Sequence, residues 1–441
     1  VTAPVRRAGV FAALCTLSLA VPLVEPRVAA AVAGVVLLGA YVITDGPLFD
    51  LLAYPGDYED SRLYGLITFV LAAVALGLMA TAASMPIAVF VGTILLVGYG
   101  NLGAQLARLR TDTDVVRVGS FCLAALVAAV AGQALAHSLT GDAAASALPL
   151  VVFLAASGAF LAALLRDVLL PSDDPIIVLS VGLLLWLLAE LEPAIGTGEI
   201  VIALAVTVAF GYASYALETA SIAGMLTGIL LGLLTIVLGG YGWFAVLISF
   251  FAIGGLSTKF RYERKTELGV AEDNNGARGS GNVLGNAAVA LVAVLGYAAS
   301  DAGFLPREPE LFLFAFAGSI ATAMSDTLSS EIGSVFDRPR LITTLEPVDP
   351  GTDGGVTWQG ELAGVVGAAV VAAIAYGLFS DIGLVGAAII VAAGIAGMTV
   401  DSLLGATLEG SILGNQGVNF LATLSGALVS ALLVLSFAVF G

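Results

Sequence analysis

The chain has 441 residues, of which 59% are hydrophobic and only 11% charged, with a mean hydropathy of +1.04. Soluble chains carry about 25% charged residues, so this composition excludes a soluble fold. A formal net charge of −17, from 33 acidic and 16 basic residues, excludes nucleic acid as a partner, because phosphate backbones are gripped by clustered cations.

Apolar runs long enough to cross a hydrocarbon core of about 30 Å recur from end to end, about 15 of them and no fewer than about 13. They lie near 8–24, 28–44, 63–80, 86–104, 117–137, 147–165, 176–190, 199–216, 220–238, 242–256, 282–300, 311–325, 362–379, 384–399 and 418–440. None shows the period-two alternation of an outer-membrane barrel, which leaves an all-α, polytopic transmembrane helix bundle. The first run follows Arg6 and Arg7 and reads as an uncleaved span, since hydrophobicity resumes straight after Glu25-Pro26-Arg27. Cys15 and Cys122 fall within apolar runs as small core residues. His137, the sole histidine, falls at a span end with no acid or cysteine near it in sequence, which disfavours zinc or histidine-based nucleophilic chemistry.

With the N-terminus inside, every one of the 16 Lys and Arg residues except Arg27 and Arg307 falls on the cytoplasmic side of the cell membrane. Acid-rich loops in a lysine-poor chain also suit the high-salt cytoplasm of a halophilic archaeon. Residues 1–198 form an N-terminal bundle of apolar spans and short acidic loops, with no assigned role. Its one polar cluster, Gly100-Asn101 and Arg108 to Arg117, reads as a positive-inside anchor. Residues 199–441 differ in carrying three polar segments, at 257–281, 326–361 and 400–417. Two spans separate each from the next, so all three meet on one face.

The first segment contains Lys259 and Lys265, the only lysines of the chain. Compact, mobile ammonium groups suit phosphate binding, and a basic juxtamembrane anchor is the alternative. Asn274, Gly276, Arg278, Gly279 and Asn282 follow. Glycines let backbone N–H groups approach an anion, a guanidinium stands between them, and a helix N-terminus begins near Asn282. The second segment opens with Asp326, Ser329, Ser330 and Glu331 at the inner end of a span; on a continuing helix Glu331 stands about 140° round from Asp326. Carboxylates at the mouth of a bundle suit Mg²⁺ bridging phosphates, which takes one or two protein carboxylates plus substrate oxygens. Arg340, Thr352, Gly354 and Gly355 then read either as a further phosphate-binding loop or as a turn-rich connector. The third segment places Asp401 at another span end, with Glu409, Asn415 and Asn419 beyond it.

These blocks resemble a known family, the integral membrane proteins related to plant phytyl-phosphate kinase, long catalogued as domain of unknown function ninety-two. The likeness rests on Ser257-Thr258-Lys259, Gly276-Ala277-Arg278-Gly279, Asn282-Val283-Leu284-Gly285-Asn286, Ser325-Asp326-Thr327 through Ser330-Glu331-Ile332-Gly333, Pro339-Arg340-Leu341-Ile342, Pro350-Gly351-Thr352-Asp353-Gly354-Gly355-Val356 and Asp401-Ser402-Leu403-Leu404-Gly405-Ala406-Thr407. It covers residues 199–441, and the first half resembles an extra bundle found in some archaeal members. Asp353 departs from the family, which more often carries asparagine there. The spacing of Asp326, Ser329 and Gly333 also looks like the D-x-x-A-x-x-x-G core of CTP-dependent prenol kinases and CDP-lipid synthases.

The resemblance implies a membrane-embedded kinase that moves a phosphoryl group from a nucleoside triphosphate, CTP or ATP, to an isoprenyl monophosphate. On that reading Asp326, Glu331 and Asp401 hold Mg²⁺, and Asp326, Lys259 and Arg278 are catalytic. Lys265, Asn274, Gly276, Gly279, Asn282, Asn286, Arg340, Thr352, Gly354 and Gly355 bind phosphate, and the lipid tail lies between spans. A transporter or flippase of an anionic lipid is the alternative, in which the same groups bind substrate. Transporters favour midplane sites and internal repeats, whereas here the polar residues stand at span ends and no repeat is evident.

Overall fold

A computed structural model describes residues 3–440 apart from 55, 142–147, 170–172, 271–276 and 307. Two expected phosphate-binding residues, Asn274 and Gly276, and the outward-assigned Arg307 lie outside the described residues.

The architecture is an all-α helical membrane bundle. In chain order the helices are α1 (Ala3–Thr16, continued by a 3-10 stretch, Leu17–Leu23), α2 (Pro26–Val42), α3 (Gly46–Leu52), α4 (Asp57–Asp60), α5 (Tyr64–Ala82), α6 (Ile87–Ala107), α7 (Asp114–Thr140), α8 (Leu148–Val168) and α9 (Asp174–Glu190). There follow α10 (Thr197–Ala216), α11 (Ile222–Gly239), α12 (Tyr241–Ser257), α13 (Tyr262–Leu268), α14 (Ser280–Asp301), α15 (Pro309–Gly333), α16 (Trp358–Leu378), α17 (Leu384–Leu408) and α18 (Asn415–Phe440). Among the described residues the only strands are β1 (Arg340–Leu341) and β2 (Gly355–Val356), which pair antiparallel in the connector between α15 and α16.

Local chemistry sets the boundaries. Ser221 and Thr357 cap α11 and α16 by accepting from the N–H groups of Gly224 and Gly360. Prolines sit in the first turns of α2, α3, α9 and α15, where a missing N–H costs nothing. Gly141 and Gly269 close α7 and α13 in the left-handed region.

All fifteen expected spans coincide with helices. Among the described residues, twelve helices are long and apolar enough to cross a membrane, and up to fourteen spans result if each of two bent pairs counts as one. The pairs are α2 with α3, bent by 111°, and α12 with α13, bent by 63°. The remaining expected span, α9, has 17 residues. That length is at the lower end of what crosses a core about 30 Å thick.

The chain forms two compact units, Val1–Ile202 and Ala203–Gly441. In the first, α6 is the central helix, with α1, α5, α7, α8 and α9 packed on it; its turns from Ala88 to Gly98 are buried all round. In the second, α15 is central, against α12, α14, α16, α17 and α18. Small residues make that position possible, because in lipid it is close backbone approach, not water expulsion, that drives helices together. A side chain on Gly318 would come within 2.8 Å of the Gly426 carbonyl, and one on Gly367 within 3.0 Å of the Met324 carbonyl. Thr322 and Ser325, both fully buried, donate to the carbonyls of Ala393 at 3.3 Å and Gly364 at 2.9 Å. Ser325 is therefore a helix-to-helix bond in the core of the unit.

Candidate functional site

The three polar segments meet at one end of the second unit, around the last turns of α15 and α17. Asp326 on α15 and Asp401 on α17 share a hydrogen bond between their carboxyls. Each is half-buried, and Asp401 Oδ1 is buried with no hydrogen-bond partner among the described residues. Two facing carboxyls of this kind repel once both ionise, so the arrangement calls for positive charge.

Arg278 supplies one such charge. Its backbone is pinned by a two-way bridge: Arg278 N–H donates to Thr219 O and Ser221 N–H to Arg278 O, both at 3.0 Å. That fixes the segment just before α14 against the connector between α10 and α11. The guanidinium, 6% exposed, lies over the Phe250 ring at 5.4 Å, donates to Gly254 O at 3.5 Å and acts electrostatically on Asp326. A guanidinium stays charged when buried and stacks on aromatic faces, which an ammonium does poorly.

A glycine loop closes the opposite side. Gly354, at φ +73°, rests on α17, where an added Cβ would fall 2.5 Å from Ala406 Cβ and 2.6 Å from the Ser402 carbonyl. Gly405 faces Gly354 N in return, its own added Cβ 3.0 Å away. Only glycine satisfies both the left-handed backbone and this approach. The contact seats the loop one turn beyond Asp401 and brings Asp353 near Glu409, just past the end of α17. Burial and then the Asp353 carboxylate push the Glu409 carboxyl above its ordinary range, while a hydrogen bond with Asn415 acts the other way.

Two expected site residues meet each other: Lys265, expected on phosphate, and Glu331, expected on a metal, form a buried ion pair. Lys265 is 1% exposed and also donates to the carbonyls of Ser257 and Thr258 at 3.3 and 3.2 Å. The cause lies in helix geometry. Glu331 stands about 140° round α15 from Asp326, so the two acids face different neighbours, Asp326 meeting α17 and Glu331 the bent α12–α13 segment. Among the described residues no group of three His, Cys, Asp or Glu is placed to hold a metal. Asp326 and Asp401 remain as a pair, and two hard carboxylates with an unsatisfied buried oxygen fit an ion that completes its shell from phosphate and water.

The other expected residues divide. Gly279 caps α14, and Asn286, 3% exposed, donates to the Asn282 carbonyl at 3.0 Å inside the same helix. Gly281 and Gly285 abut Gln416 of α18, so this helix start packs on the start of α18. Lys259 is exposed and reaches the Glu218 carbonyl at 3.4 Å. Arg340 and Thr352 lie exposed in the hairpin connector, donating to the carbonyls of Leu345 at 2.6 Å and Asp349 at 2.8 Å. Glu409 was not among the expected binding residues. Its signal was present, since it follows Asp401 by two helical turns and precedes Asn415.

Residues 205–427, half of the chain, match the family described as Integral membrane protein DUF92. The matched range contains every residue of this site. The chain belongs to the DUF92 family. An uncharacterized membrane protein of Methanocaldococcus jannaschii is 36% identical over 216 residues, which is 48% of this chain and 84% of that protein. Protein VTE6, chloroplastic, of Arabidopsis thaliana is 32% identical over 220 residues, covering 48% of this chain and 65% of the plant protein. Protein PGR of Arabidopsis thaliana is 30% identical over 269 residues, covering 51% and 93%. No solved structure matches this DUF92 protein.

Proposed function

We propose that this DUF92 protein is a membrane-embedded kinase that transfers a phosphoryl group from a nucleoside triphosphate, CTP or ATP, to an isoprenyl monophosphate, yielding the diphosphate. The observation that carries the reading is the Asp326–Asp401 pair beside the buried Arg278 guanidinium, at the helix ends where an amphipathic substrate meets water. Family resemblance supplies the isoprenoid. The positive-inside distribution supplies the cytoplasmic side, where nucleotides are present.

Phosphoryl transfer is mostly positioning and charge neutralisation. An oxygen of the acceptor monophosphate attacks the γ-phosphorus, the bond from that phosphorus to the β-bridging oxygen breaks, and the nucleoside diphosphate leaves with the electron pair. The acceptor oxygen is already ionised, so no general base is needed. Asp326 and Asp401 would hold Mg²⁺, which when bound supplies positive charge against the phosphate oxygens. Arg278 adds a fixed guanidinium, the turn at Gly354 offers its backbone N–H, and the acceptor's tail lies between helices.

Purified protein in detergent is given labelled geranylgeranyl phosphate with Mg²⁺ and either CTP or ATP, and the diphosphate is measured. Asp326→Asn and Asp401→Asn should each lower turnover at least about 100-fold, as expected when charge stabilisation of the transition state is lost. Their SDS unfolding midpoints should stay near wild type. Full turnover in either variant refutes the site. No turnover with either nucleotide, together with uptake of the labelled lipid phosphate into liposomes, makes the protein a transporter instead.

A further inference from the structure

The first unit contains a second polar end. Arg7 of α1, Asn101 and Gln105 of α6, Arg117 of α7 and Arg166 of α8, with Arg108 just past α6, line a cavity of about 210 Å³. The start of α1 and α7 and the end of α6 and α8 thus converge there. Four arginines around one cavity are a quarter of the 16 basic residues in the chain.

Their partners are few. Arg117 pairs with Asp114 at 2.6 Å, and Arg166 pairs with Asp174, which also accepts from the Tyr54 hydroxyl at 2.7 Å. Asp167 is the one carboxylate in the cavity wall. Arg7 donates to the Ala53 carbonyl at 2.9 Å and lies over the Tyr54 ring, and the exposed Arg108 has no side-chain bond to the described residues. Neither has a carboxylate partner. Arg166 Nε is buried with no hydrogen-bond partner among the described residues. This end therefore keeps positive charge in excess and an unsatisfied buried donor, as an anion site does.

An apolar groove of about 240 Å³ begins where the cavity stops, with Phe11 in the wall of both. It continues along the remainder of α1 and its 3-10 extension to Val24, between Val32 of α2, Ala73 and Gly77 of α5 and Phe90 of α6. On α1 the polar lining ends at Phe11 and the apolar lining starts there. On the antiparallel α6 the polar lining spans Asn101 to Gln105, and the apolar lining falls at Phe90 and Ile94. Cavity and groove are thus stacked along the helix axes, head end and tail path of one amphipathic ligand.

We propose that the first unit binds a lipid with a phosphate monoester head and a single apolar tail. The head sits among Arg7, Arg108, Arg117 and Arg166, and the tail runs along the groove beyond Phe11. A phosphate monoester carries up to two negative charges and three acceptor oxygens, which matches two arginines without acid partners and a third with a free donor. The site is built from residues of the first unit alone and does not depend on the kinase reading.

The probe is dodecyl phosphate carrying a diazirine at the tail end, photo-crosslinked to the full chain in detergent, with adducts mapped by peptide mass spectrometry. Labelling should concentrate in residues 14–36 and 66–81, and unmodified dodecyl phosphate should compete for it at least tenfold better than dodecanol. Arg108→Gln, at an exposed residue with no described side-chain partner, should weaken labelling about tenfold, in line with loss of one charge-assisted bond. Ala73→Phe should block labelling by filling the groove. Adducts confined to the second unit, labelling unchanged in Arg108→Gln, or equal competition by dodecanol would each overturn the proposal. Competition by inorganic phosphate as strong as that by dodecyl phosphate would also overturn it, because the tail would then contribute nothing.

Discussion

Replacing Lys265 by Met separates two roles for this lysine. The residue is 1% exposed, and its ammonium pairs with Glu331, itself 9% exposed, and donates to the carbonyls of Ser257 and Thr258. Lys265→Met keeps the stem and leaves a buried carboxylate without its partner, at a cost of about 3–5 kcal/mol. Lys265→Met/Glu331→Leu removes both charges. The remaining loss is two carbonyl acceptors at the end of α12, about 1 kcal/mol each, so the double variant should fall within about 2 kcal/mol of wild type. SDS titration of the four proteins of the cycle, followed by tryptophan fluorescence, gives the coupling directly. A Lys265→Met protein as stable as wild type, yet unable to turn over a prenyl phosphate, would refute the ion-pair assignment. It would return Lys265 to the phosphate.

Other substitutions probe the rest of the site. Gly354→Ala should destabilise by about 1–3 kcal/mol through overpacking against Ala406 and the Ser402 carbonyl, read as a lowered unfolding midpoint. Arg278→Lys should lower prenyl-phosphate turnover about tenfold or more with the chain still folded, because an ammonium replaces the planar group stacked on Phe250; unchanged kcat and KM would refute its role. For Glu409, the folded carboxyl holds its proton more tightly than the unfolded one, whose ordinary value is 4.5. Its contribution to stability is therefore full below that value and is lost as pH rises through the elevated folded value. Unfolding midpoints taken upward from pH 4 should fall less steeply in Glu409→Gln than in wild type, and parallel curves would refute the assignment.

Much of the bundle was legible in the amino-acid order. Hydrophobic runs that match the bilayer thickness leave helices as the structure that satisfies their backbone, so each run is a helix whatever its neighbours. Span counting was less secure where a run is marginal. The 17 residues of α9, and the bends after α2 and α12, turn fifteen runs into twelve to fourteen spans by length. The pairing of acids was not legible. Asp326 and Glu331 are five residues apart and look alike in sequence, and only the placement of α17 and of the bent α12–α13 segment assigns one to Asp401 and the other to Lys265.

Composition, span length and the distribution of Lys and Arg are properties of the chain and the bilayer together, and they fix a polytopic membrane protein with its polar segments at helix ends. Which polar groups meet depends on the rotation of each helix about its axis, set by small residues such as Gly318, Gly367 and Gly354 that admit a neighbour at one angle. That rotation put Asp401 against Asp326 and buried Lys265 against Glu331. In the first unit, tertiary packing likewise gathered four arginines, of which sequence grouped only Arg108 and Arg117 as a positive-inside anchor, around one cavity that opens along an apolar groove.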